Sequence, residues 1–174
     1  MGTIRVNGST SGYVELAAPA VAGSVVMTLP ATTGTLAVQG EAYGRSATAT
    51  VAPQQSTSSA SFTDLATVGP AVTLTTGTKA LVILSGGLSN DAASKTQLMG
   101  FAVSGATTVA AADATSILVG PAAAVTGPNI RVSAATLVTG LTAGSNVFTA
   151  KYRTSPSGNA YFDTRVITVI DMGS

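Results

Sequence analysis

Few residues in this chain could do chemistry, and their spacing does not bring them together. Seven acids (Glu15, Glu41, Asp64, Asp91, Asp113, Asp163, Asp171) and eight bases (Arg5, Arg45, Lys79, Lys95, Arg131, Lys151, Arg153, Arg165) are spread over 174 residues, and histidine and cysteine are absent. Without them there is no Ser-His-Asp or Cys-His arrangement, no thiolate zinc site and no disulfide. The commonest general base and metal ligand is missing as well. No Gly-x-Ser-x-Gly elbow, phosphate-binding Walker loop or Gly-x-Gly-x-x-Gly turn occurs. The acids stand singly, so a glycosidase pair would have to be assembled entirely by the fold, and a solvated surface position is the plainer reading of each. Asn90-Asp91 could contribute to a calcium site but lacks the Asp-x-Asp-x-Asp-Gly spacing. Asn7-Gly8-Ser9 is a formal glycosylation sequon, without meaning unless the chain is secreted. Tyr13, Tyr43, Tyr152 and Tyr161 form no stacking row, and the bases form no stripe, so nucleic-acid binding has no footing. The expectation is a protein that is not an enzyme, with no catalytic, cofactor-binding or metal-binding residue and no cofactor.

The charge count carries more information than any motif. Only 9% of residues are charged and the net charge is +1, against roughly a quarter charged in an average soluble protein. With 45% hydrophobic residues, such a chain would expose too much apolar surface as a concentrated monomer. Much of the surface is therefore expected to be covered by other subunits, as in a homotrimer. The same apolar content excludes disorder. Residues 1–10 are polar and lack the apolar core of a secretory signal, so synthesis in a cytoplasm is expected. The charge-free run 16–40 is interrupted by Pro19, Gly23, Pro30 and Gly34 and is not an apolar helix of about 20 residues, so no membrane span is expected.

These side chains must be carried by strands. Residues 1–7 alternate weakly through Ile4 and Val6. Residues 13–18 and 24–29 alternate and stop at or before Pro19 and Pro30, which cannot donate to a ladder, and a third short run covers 34–38. These strands lack the bulk for a core of their own, so residues 1–40 are read as an extended β arm and 41–174 as the body. The arm's order is Gly8-Ser9-Thr10-Ser11-Gly12, then Val14, Leu16, Ala18-Pro19-Ala20, Ala22-Gly23-Ser24, then Thr28-Leu29-Pro30-Ala31-Thr32-Thr33-Gly34-Thr35-Leu36-Ala37. Over about a fifth of the chain, this resembles a segment found repeatedly in tailed-bacteriophage virion proteins, both tail fibres and small head or tail structural proteins.

In the body, 45–53 alternates weakly and 54–61 reads as a loop. Strands are then expected at 62–68, 71–75, 79–84, 96–104, 116–119, 130–138, 146–153 and 160–170, separated by turn residues. The continuous apolar run Leu81-Val82-Ile83-Leu84 suggests burial on both faces, closed by Gly86-Gly87. Residues 146–153 and 160–170 read as a hairpin about Ser155-Pro156-Ser157-Gly158, which could bring Lys151 or Arg153 near Asp163. The alanine-rich stretch 108–114 is the best helical candidate. About eight short strands at this spacing predict an all-β, jelly-roll-like β-sandwich.

Residues 98–107 (Leu98-Met99-Gly100-Phe101-Ala102-Val103-Ser104-Gly105-Ala106-Thr107) and 139–153, chiefly through Leu141-Thr142-Ala143-Gly144-Ser145-Asn146-Val147-Phe148-Thr149, resemble the trimeric jelly-roll modules of phage head-decoration proteins and fibre tips, whose form is like that of tumour-necrosis-factor and C1q domains. The two resemblances imply a virion structural protein. The expected role is a capsid decoration (cement) protein whose partner is the major capsid protein shell, displayed on the capsid surface. The alternatives are a tail or tail-fibre component bound to tail proteins and a carbohydrate-binding jelly roll. Lack of shaft repeats favours decoration over fibre, and lack of Trp disfavours the lectin reading. Symmetry position, host and strand order are not legible in the sequence.

Overall fold

A computed structural model describes residues 3–7, 13–17, 45–92, 95–120, 129–154 and 158–173. The chain divides into two compact units, Met1–Leu36 and Ala37–Ser174. In the first, β1 (Thr3–Asn7) and β2 (Tyr13–Ala17) pair antiparallel, with Arg5 opposite Glu15. The expected strands at 24–29 and 34–38, and the boundary at 40, lie outside the described residues.

The second unit holds β3 (Ser46–Val51), β4 (Gln55–Thr57), β5 (Ala71–Thr76), β6 (Lys79–Asn90), β7 (Gln97–Gly105), β8 (Ile117–Val119), β9 (Ile130–Thr139), β10 (Gly144–Thr154) and β11 (Ala160–Asp171). One sheet runs β3-β11-β6-β9, with β4 beside β11, and the other β5-β10-β7-β8. All the pairs are antiparallel. Counting the eight main strands from β3, the two orders are 1-8-3-6 and 2-7-4-5, the interleaving of a jelly roll. The all-β sandwich expected from the strand spacing is the fold.

Its core lies between the sheets. Alternation puts Val72 and Leu74 of β5, Ala80, Val82 and Leu84 of β6, Phe148, Ala150 and Tyr152 of β10, and Phe162, Ile167 and Val169 of β11 into one buried cluster. Tyr152 and Phe162 meet across the layers with ring centroids 4.8 Å apart.

Several local expectations are corrected. Residues 146–153 and 160–170 do not form a hairpin: β10 bonds to β5 and β7, while β11 bonds to β3, β4 and β6. The chain between them crosses from one sheet to the other, because each strand finds its ladder partners among strands far away in sequence. Residues 62–68 make no strand beyond a reciprocal pair of bonds between Thr63 and Tyr152, since Leu65 is drawn into the core. Within the expected loop 54–61, Gln55–Thr57 pairs with β11. β6 does not stop at Gly86-Gly87, since β9 and β11 flank it through Leu88. It also alternates, with Leu81 and Ile83 only half-buried. The alanine-rich stretch yields only a 3-10 turn at Asp113–Thr115.

β11 carries a bulge between Asp163 and Val166, where Thr164 takes φ 40°, an uncommon setting for a β-branched residue. The bulge resets the register so that both ends of the strand keep their apolar residues inward. Phe162, fully buried beside Tyr152, tests the core directly. Phe162→Ala is expected to cost about 3–5 kcal/mol, measured by chemical denaturation, while circular dichroism still reports β structure.

Candidate functional site

A concavity is built on the outer face of the β5-β10-β7-β8 sheet. On β10 the inward residues Phe148, Ala150 and Tyr152 alternate with outward Lys151 and Arg153. The register sets Gly100 beside Lys151 and Leu98 beside Arg153. Two loops fold over this face. From the first, the Phe62 ring stands over Gly100, so close that a Cβ there would lie 3.1 Å from the ring. From the second, Asp113 opens the 3-10 turn. Between them is an open groove of about 530 Å³, lined by Ala60, Phe62, Ala102, Ala111, Asp113 and the two β10 cations, among others.

Both cations are already engaged. Lys151 Nζ donates to both Asp64 oxygens at 2.7 and 2.8 Å. Arg153 donates from Nε to Asp113 Oδ1 at 2.8 Å, from Nη2 to Asp113 Oδ2, and from Nη1 to the Ala60 carbonyl at 3.3 Å. Its guanidinium lies 5.5 Å from the Phe62 ring centre. Partly exposed pairs of this kind contribute about 0–1 kcal/mol each, and their effect is to fasten the two loops to the sheet. The floor is methyl groups, and the one aromatic ring is faced by a cation rather than presented as an open platform.

The remaining body acids are dispersed. Asp163 accepts from Asn129 Nδ2 at the opposite sheet, so Lys151 and Arg153 are paired elsewhere and the expected approach to Asp163 is not made. Asp171 Oδ1 accepts from the Gly77 and Gly173 amides at 2.8 and 3.1 Å. Asp91, weighed as a calcium ligand, accepts from the Asn159 amide and from Asn159 Nδ2, both at 2.8 Å. Glu15 lies on β2, and Glu41 and Tyr43 are outside the described residues. Among the described residues no three acids gather as a metal cluster would require. Tyr152 is buried, donating its hydroxyl to the Gly69 carbonyl at 2.8 Å, and burial raises its pKa above the ordinary phenol value. Tyr161 is half-buried on β11.

Sequence reasoning did not find the groove. Its parts come from residues 60–64, 110–113 and 151–153, whose meeting is a property of the strand order; the only sequence sign was the alternation of Lys151 and Arg153 with apolar neighbours. Compared with known families and curated proteins, the chain matches no family model and no curated protein.

The Asp91 carboxyl is held below its ordinary value of 3.8 first by the Asn159 side chain and second by the Asn159 amide. A lowered folded-state pKa adds stability above the unfolded value, and that contribution disappears as pH falls through the folded one. In an NMR acid titration Asp91 is expected to titrate below 3.8, and Asn159→Ala to move its midpoint upward.

Proposed function

We propose that this chain is a non-enzymatic structural protein of a tailed-bacteriophage virion, a capsid decoration protein that binds the major capsid protein shell and stabilises it as a homotrimer. It is made in the host cytoplasm and carried on the capsid surface. The observation that carries the reading is the pairing of a jelly-roll body with a separate N-terminal β unit, in a chain whose two segments resemble virion proteins. The role needs adhesion rather than chemistry. Strand pairing and apolar packing across neighbouring shell subunits would stabilise the shell by mass action, because only the assembled surface offers the site.

The arm suits attachment on physical grounds. Its residues 16–40 carry no charge, and a charge-free, apolar-rich segment suits burial against a neighbouring subunit rather than lasting exposure to water.

Cosedimentation with undecorated capsids and with isolated tails tests the proposal. Saturable binding to capsids and a higher capsid melting temperature are expected. Binding to tails alone would replace decoration with the tail-component alternative, and binding to neither would remove the virion reading. Deletion of residues 1–40 is expected to leave a body that melts cooperatively with little loss of stability but no longer cosediments. Full retention of binding by the truncated body would show that the arm is not the attachment device.

A further inference from the structure

The outer face of the β3-β11-β6-β9 sheet is the surface the functional reading leaves unused. Register aligns Ser46, Ile170, Leu81 and Leu137 in one row across the four strands, and Thr48, Thr168, Ile83 and Ala135 in the next. A third row is Thr50, Val166, Ser85 and Ser133. None of the three rows holds a charge. Charges come only at the two ends, with Lys79 at one and Asp163 and Arg131 at the other. Leu137 is 55% exposed, and Met172, just past β11 at the parity of Ile170, is 52% exposed.

We infer that this face is where copies of the chain pack against one another. Two observations select a second copy as the occupant. The first is charge: a surface with no charge over three rows gains nothing from a charged partner and would desolvate that partner's ions without compensation. With only 9% charged residues in the whole chain, the same face on another copy is a fitting complement. The second is shape. The face is coarse at one end, where Leu137, Leu81, Ile170 and Met172 stand, and fine at the other, where Ser85, Ser133 and Thr50 stand. One copy's coarse end can seat on its neighbour's fine end.

The area fits a reversible association. Four strands are roughly 19 Å wide and the three uncharged rows roughly 20 Å long, giving about 400 Å² a side. Two such faces bury about 800 Å², the scale of a weak, transient contact. β9 forms one edge of the sheet and carries one charge, Arg131, and no proline over ten residues, so little on its own side chains repels a neighbour's approach at this border.

The inference concerns how copies meet and does not depend on what the assembly attaches to. Sedimentation velocity on the full chain from about 1 to 500 µM tests it. The wild type is expected to shift from the 17.0 kDa monomer to an oligomer across that range. Leu137→Glu and Ala135→Glu, both at exposed positions on this face, should raise the dissociation constant at least tenfold with an unchanged circular dichroism spectrum. Val68→Glu, at a 62% exposed position in the loop after β4, should associate like the wild type. A wild type that stays monomeric throughout, or face variants that both associate like the wild type, would overturn the inference. An oligomer weakened by the face variants but dimeric would support the inference while removing the homotrimer from the proposed function.

Discussion

The body depends on two rings meeting across the sandwich. Tyr152 of β10 and Phe162 of β11 belong to different sheets, and their centroids lie 4.8 Å apart at a 56° tilt. The chain has no Trp, four Phe and four Tyr, so this pair and the Phe101–Phe148 pair hold half of its aromatic residues. Such contacts add about 0.5–1.5 kcal/mol beyond the area they bury. Polar anchoring converges on the same place. Tyr152 donates to the Gly69 carbonyl, and the fully buried Arg165 lies 5.4 Å from the Tyr152 ring. Arg165 Nη2 reaches the Pro53 carbonyl and Gln55 Oε1, while Nε and Nη1 have no partner among the described residues. The π face of Tyr152 thus supplies part of what a carboxylate would otherwise give this buried cation.

Fold class was legible because it rests on local patterns. Alternation in 71–75, 130–138 and 146–153, with turn residues between, places strands close to where β5, β9 and β10 lie. What the sequence hid is which strands pair. The Ser-Pro-Ser-Gly sequence after Thr154 reads as a hairpin turn because adjacency in sequence is the cheapest route to pairing, yet β10 and β11 take partners elsewhere. Gly86-Gly87 looks like a stop, since glycine weakens a strand by local measures. Flanking strands on both sides override that weakness. Residues 62–68 look like a strand from their apolar content, but burial of Leu65 uses that content without a ladder.

The groove was illegible for the same reason, and its chemistry is muted by pairing. Each of its cations meets an acid from a loop rather than standing open. Charge is thereby spent on fastening loops over one sheet, while the middle of the other sheet's outer face has none. A chain poor in charge thus shows two outward faces of different character: one is roofed by its own loops, and the other is bare threonine, serine and aliphatic side chains.

One feature of the strand order bears on the protein's birth. β11 is synthesised after every other strand of the body, yet it sits inside its sheet, between β3 and β6, and Thr48 bonds a residue 120 positions later. A ribosome must therefore extend the chain past β11 before β3 has a ladder partner, and the nascent polypeptide waits with its first body strand unpaired. Pairings so distant in sequence close slowly, which exposes the chain to chaperones and to wrong pairing during synthesis. Once β11 is threaded between its neighbours, pulling on the chain at its C-terminal side meets a strand paired on both sides, so unzipping from that side is opposed by two ladders at once, whereas β3 is held by one.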